Sequence, residues 1–384
     1  MSLSLASIAM MALIAGLLGA NIAPESELAT LPLAAMVVGT ATFAIPVALI
    51  MKKIGRKNGI ALGLVIAILG LLLSYFSAIN EQFWLFIFAS FMIGANGAFM
   101  AQGRFMIMEN AQDKTQIADG LTLSLMANLL AAIIGPALGS YGKDLFSGGL
   151  YSGSFFLAAG LLILALIILL LQYKDLPMNA VDEIQSKRPL FSIIKQPAFI
   201  LSAGSAAIGY GVMTFVMTAT PISMHEVHEH SLNHTRFVIQ SHIVAMFLPS
   251  LLSGFLIKRG YSISLIITGL MLYILVCAVA FYDHSVTHYW WALTLLGIGW
   301  NFIFITSTAM LPSSYSEEEK FKAQAANDFT IFTFQAIASF AAGWVIFNLD
   351  WEGVISIALF ATCLWLCLIA YTQFVLLKSR RKIT

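Results

Sequence analysis

The chain has 384 residues, 59% hydrophobic and only 10% charged, against roughly 25% charged in an ordinary soluble domain. A soluble chain of this length cannot hide so much apolar surface, which excludes a cytosolic enzyme or a nucleic-acid binder. Twenty basic against nineteen acidic residues leave no net field for an anionic partner, and three cysteines without periodic spacing exclude a disulfide framework or a zinc module.

A bilayer core takes about 20 apolar residues per helix. Twelve such runs follow one another, at 3–22, 28–51, 59–78, 83–107, 117–139, 150–173, 198–221, 236–257, 262–282, 287–311, 323–348 and 353–377. Continuous runs of this length predict helices; barrel strands would be about 10 residues long and alternating. The expectation is an all-α polytopic membrane protein of twelve transmembrane helices, embedded in the lipid bilayer. The first run begins almost at Met1, with no basic n-region or A-x-A site, and reads as a retained span. The longest polar stretch divides the chain into a first bundle at 1–173, a linker at 174–196 and a second bundle at 197–384. Seventeen of the 20 Lys and Arg residues fall in the loops and tails on the side of the two termini, Lys143 and Arg236 fall on the other side, and Arg104 lies inside the fourth run. By the positive-inside rule both termini are cytoplasmic.

The second and third runs are joined by Lys52-Lys53, one residue, then Gly55-Arg56-Lys57; the corresponding place in the second half reads Lys258-Arg259-Gly260. A weak repeat of this kind suits a transporter that rocks two bundles about a central site. The first loop resembles the G-x-x-x-D-R-x-G-R-[RK] signature of the major facilitator superfamily, and Gly135-Pro136-Ala137-Leu138-Gly139 in the fifth run resembles its G-P-x-x-G element, frequent in exporters. The resemblance covers the whole chain and implies two six-helix halves in the major facilitator fold. It departs at Ala48, where the signature has glycine, and at Lys52, where it has an acid, so the charge relay through that acid does not carry over.

Met213 and Met217 stand at i, i+4 in the seventh run, and His242 and Met246 stand likewise in the eighth. Each pair shares a helix face. At about 1.5 Å per residue, Met217 and His242 lie roughly 6 and 9 Å from the outer helix ends, and Met213 and Met246 roughly 12 and 15 Å. The antiparallel runs set the pairs level. Three thioethers and an imidazole form a soft, neutral ligand set that favours Cu(I) and avoids burying a carboxylate. The alternative is packing: with 17 methionines, one pair at this spacing is expected by chance, and methionine fills gaps in apolar cores.

All seven histidines lie on or near the outer side. His225, His228, His230 and His234 fill the loop after the seventh run, and His284 and His288, four apart, sit where the ninth run joins the tenth. They read either as an antechamber for metal capture or as uncharged polar loop residues. Met213-x-x-x-Met217 and His242-x-x-x-Met246 resemble the motifs of the CcoA-like (CalT) branch of the superfamily. Thr220-Pro221, Val238-Ile239-Gln240, Phe247-Leu248-Pro249-Ser250, Gly299-Trp300-Asn301-Phe302 and Asn327-Asp328-Phe329 also fit it. That resemblance implies copper import across the bacterial inner membrane by alternating access, for cytochrome oxidase assembly. Met213, Met217, His242 and Met246 would be the copper ligands. It implies no enzyme activity, no bound cofactor beyond the transported copper ion, a monomer, and a cytosolic copper chaperone as partner. Some members of the branch are labelled riboflavin transporters, so riboflavin or another organic solute, drug efflux included, is the alternative cargo.

Arg104 inside the fourth run, with Glu109 and Asp113 following it at the cytoplasmic end, reads either as part of a gating ion pair or as a solvated helix end that snorkels. Asp328 reads as a proton or gate residue, or as an acid placed at a helix N-terminus. Cys363 and Cys367, i, i+4 in the twelfth run, read either as a relay for a soft metal or as plain burial, Cys277 reads the same way, and Trp290, Trp291 and Trp351 read as an interfacial belt.

Overall fold

The computed structural model describes residues 2–101, 114–146, 148–172, 188–316 and 319–380. Apolar runs become helices because in hydrocarbon each backbone N–H and C=O must be paired within its own segment. In chain order these are α1 (Ser2–Ile22), α2 (Leu31–Ile54), α3 (Arg56–Asn80), α4 (Phe83–Ala101), α5 (Lys114–Tyr141) and α6 (Ser152–Gln172). They continue with α7 (Pro197–Ile222), α8 (Leu232–Phe247), α9 (Ser250–Lys258), α10 (Ser262–Tyr282), α11 (Val286–Met310) and α12 (Lys320–Arg380). One difference from the apolar runs has a physical cause. The eighth run is not one helix: it breaks between Phe247 and Ser250, where Pro249 withholds the N–H that would continue the ladder. The last two runs are two helices that meet at a kink at Asp350 (φ 56°, ψ −169°), the two arms of α12. Ten described helices are long and apolar enough to cross a membrane; the one at 322–372 contains the Asp350 kink, and Asn128–Tyr141 is a shorter apolar piece.

Two apolar cores result. One joins residues of α1 to α6, among them Met10, Phe86, Phe99 and Phe155; the other joins α7 to α12, among them Val216, Leu270, Tyr273 and Trp351. Small residues let helices approach within each core, as transmembrane packing requires. A Cβ on Gly135 would strike the Ala6 carbonyl, and the Met10 nitrogen at 2.8 Å, so the G-P-x-x-G element of α5 seats α1. Trp351 is fully buried beside Tyr289 (ring centroids 5.1 Å), at the fold of α12, and not in an interfacial belt; the Asp350 bend turns its ring inward. Cys277 is buried, whereas Cys363 is half-buried and Cys367 exposed, because the second arm of α12 turns one face away from the bundle.

The two cores meet at the end opposite the termini. There Thr30 Oγ1 donates to the Phe340 carbonyl (3.4 Å) and Asn348 Nδ2 to Glu27 Oε1 (3.2 Å), while Gly343 sits against Glu27 and Thr30. Across α5 and α8, Ser140 Oγ donates to Asn233 Oδ1 (3.3 Å), Gln240 Nε2 donates to the Ile133 carbonyl (2.8 Å), and the Arg236 guanidinium lies 4.6 Å over the Tyr141 ring. This face is closed. A Ser140→Cys, Asn233→Cys pair is therefore expected to cross-link on oxidation in membranes and to stop transport until reductant is added. A pair that never cross-links would contradict the closure.

Candidate functional site

The seam between the halves is built from α7, α8 and α11. α8 divides its faces: Ile239 and Ile243 enter the core of the first half, while Val238 and Met246 enter that of the second. Met217 and Phe247 pack against both cores. α8 leans on α11 because Gly297 leaves room for its backbone; a Cβ there would stand 2.7 Å from the His242 carbonyl and 3.0 Å from the Met246 nitrogen.

His242 is fully buried, and its Nδ1 donates to the Leu293 carbonyl at 2.7 Å. That bond fixes the tautomer and leaves the Nε2 lone pair free, and Nε2 is buried without a partner. Met213 and Met246 are buried in the second-half core and Met217 is half-buried at its edge. The four are thus neutral donors at the seam. α8 packs chiefly on α11 and α5 and touches α7 sparsely.

The break after α8 is held by Asn301. Its Nδ2 donates to the Met246 carbonyl (2.7 Å) and to Ser250 Oγ (2.8 Å), and its Oδ1 accepts from Ser253 Oγ (2.6 Å). Sequence reasoning singled out Asn301 only as part of a resemblance; its buried position opposite Pro249 gives it a structural task.

The outer histidines gather at the closed face, except His234, which is exposed at the start of α8. The rings of His228 and His284 stack at 4.3 Å. His225 Nδ1 contacts the His230 carbonyl (2.8 Å), His228 Nδ1 the Ser223 carbonyl (2.9 Å), and His230 Nε2 the His284 carbonyl (2.7 Å). His284 Nε2 lies 3.1 Å from Glu352 Oε1, close enough for an ion pair but not aligned as a hydrogen bond. His288 Nδ1 lies 3.1 Å from Asp283 Oδ2. The Asp283 carboxyl is held below the usual carboxylate range by the Ser285 hydroxyl first, then by the His284 N–H and the neighbouring His288. One nitrogen of each of His225, His228 and His230 thus ties down backbone. Among the described residues no three His, Cys, Asp or Glu side chains are grouped to hold a metal ion. Asp328 lies more than two turns inside α12, half-buried, accepting from Asn327 Nδ2 (3.0 Å), and so is not at the helix start. Arg104 and Glu109 lie outside the described residues.

Sequence comparison places this architecture. The Major Facilitator Superfamily model matches residues 1–330. The chain belongs to the major facilitator superfamily. Among its relatives is the riboflavin transporter RfnT of Brucella anthropi, 34% identical over 343 residues that cover 88% of this chain and 85% of RfnT. The MFS-type transporter YddS of Bacillus subtilis is 29% identical over 375 residues, covering 92% of this chain and 85% of YddS. The fold is similar to that of a bacterial homologue of the lysosomal transporter Spinster (TM-score 0.70, 13% identity, 97% of this chain and 94% of that one). It is also similar to the Escherichia coli fucose:proton symporter FucP (TM-score 0.57, 15% identity, 95% of this chain and 97% of that one). The protein is a multi-pass membrane transporter.

Asn301→Leu leaves the Met246 carbonyl without its partner at the break and leaves the Ser253 hydroxyl only the Pro249 carbonyl (3.2 Å). The expected loss is about 1–3 kcal/mol, read as a lower Tm of the purified transporter. An unchanged Tm would contradict this role.

Proposed function

We propose that this transporter takes up riboflavin, or a solute built on the same kind of flat heteroaromatic ring, by alternating access. The observation that carries the reading is the 34% identity to RfnT across nearly the whole of both chains. The chemistry of the seam agrees with it. α7 carries no Asp, Glu, Lys or Arg, nor does α11, and in α8 the one such residue is Arg236 near the closed face. Riboflavin is uncharged, and a charge-free passage at mid-depth lets a neutral ring through without stranding an ion in low dielectric. In this reading the termini face the cytoplasm of a bacterium, the closed face is the outer gate, and release follows rocking of the two halves.

A specific observation favours a second reading. His242 Nε2, tautomer-fixed, buried and unpartnered, is what a copper ligand requires, and Met213, Met217 and Met246 supply soft donors on the same seam. In that case copper is the cargo, the outer histidines collect it, and a cytosolic chaperone receives it.

A riboflavin auxotroph lacking its own importer separates the two. Expression of the chain is expected to restore growth at riboflavin concentrations too low for the parent strain, with cell copper unchanged. Absence of rescue, together with copper accumulation that His242→Ala and Met246→Ala abolish, would replace the first reading by the second.

A further inference from the structure

A group of aromatic side chains sits beside the methionines and takes no part in the ligand set. On α11, Trp300 and Phe304 are one turn apart and stack on each other, with centroids 4.8 Å apart and planes 14° apart. Tyr210 of α7 stands at right angles to both, 5.2 Å from Trp300 and 5.1 Å from Phe304. Phe247, the last residue of α8, meets Trp300 edge-on at 6.2 Å. The backbone holds this corner in place. A Cβ on Gly209 would lie 2.6 Å from Ile303, so α7 presses directly on α11, and Tyr273 Oη fixes it there by donating to the Gly209 carbonyl (2.8 Å).

Three features distinguish this corner from ordinary core. It is at mid-depth: Tyr210 lies close to the centre of Pro197–Ile222, and Trp300 close to that of Val286–Met310. Transporter cargo sites occur at that depth. It borders the seam, since Phe247 packs against both cores while Tyr210 and Phe304 remain only half-buried. Most tellingly, Trp300 is 4% exposed and its Nε1–H has no partner. A buried indole N–H ordinarily finds an acceptor. One turn beyond Tyr210 on the same face of α7, the Thr214 hydroxyl is also buried and unpartnered. Two unsatisfied polar groups beside aromatic walls ask for an occupant that is flat, conjugated and edged with acceptors.

We propose that Tyr210, Phe247, Trp300 and Phe304 seat the conjugated ring of the cargo, with Trp300 Nε1 donating to a carbonyl or ring nitrogen at its edge. This rests on the riboflavin reading and assigns the ring, not the ribityl chain, to α7 and α11. Stacking supplies affinity that tolerates changes on the ring, and the single N–H sets its orientation.

The test uses the purified full-length transporter and titrates riboflavin by the quenching of its fluorescence on stacking. Lumichrome, the ring without the ribityl chain, is expected to compete; ribitol is not. Trp300→Phe keeps a ring but removes the N–H, and is expected to weaken riboflavin binding about tenfold, the loss of one buried hydrogen bond. Tyr210→Leu is expected to weaken it at least as much and to relieve part of the quenching. Phe304→Leu serves if either variant is not monodisperse. Wild-type binding with unchanged affinity in the variants, or competition by ribitol and not lumichrome, overturns the seat while leaving riboflavin as cargo. No binding of riboflavin or lumichrome by the wild type removes the cargo reading, and the seat with it.

Discussion

Inside hydrocarbon there is no water to complete an unfinished hydrogen bond, and most of this structure follows from that constraint. Helix hydroxyls turn back on their own backbone: Ser74 donates to the Gly70 carbonyl (2.9 Å), Thr220 to Val216 (2.8 Å) and Thr362 to Ala358 (2.8 Å). Where the ladder fails at Pro249, Asn301 supplies what it lost. Because the rule is kept so widely, its exceptions carry information. Thirteen buried side-chain atoms among the described residues lack a partner, and seven of them, Trp300 Nε1, Thr214 Oγ1 and His242 Nε2 included, belong to α7, α8 and α11, the helices that build the seam.

The same seam explains how two separately packed cores can act as one transporter. Each half buries most of its own apolar residues, while Ile239 and Ile243 of α8 cross into the first core and Ala29 joins the second. What joins them at the closed face is a short set of hydrogen bonds, neutral except for the one to the Glu27 carboxylate, with one cation–π contact and close approaches at Gly343 and Gly16. Such contacts are each worth about a kilocalorie per mole or less, weak enough to exchange as the halves rock. Of the outer histidines on this face, His225, His228 and His230 each spend one ring nitrogen on a backbone carbonyl, which makes them parts of the loop structure whatever cargo passes.

Periodicity and length were enough to read an all-helical membrane protein, because an apolar run in a bilayer pairs its backbone groups within itself only as a helix. The break at Pro249 was visible as a residue but not as a break, since the apolar run continues through it. Trp351 looked like a belt residue because sequence shows depth without showing which way a ring turns; the positive φ of Asp350 turns it inward. The aromatic corner was missed for a similar reason. Trp300 and Phe304 at i, i+4 were legible as a pair, but Tyr210 comes from 90 residues away and joins them only through the Gly209 contact. As for cargo, soft neutral donors at helical spacing look the same whether they bind a metal or fill a core. The relationship to RfnT therefore shifts the weight from copper towards riboflavin.

That shift is tested most directly by counterflow. Proteoliposomes containing the purified transporter and preloaded with unlabelled riboflavin should concentrate labelled riboflavin transiently from outside, and vesicles loaded with buffer should not. No counterflow of riboflavin, alongside copper uptake that His242→Ala removes, would contradict the account.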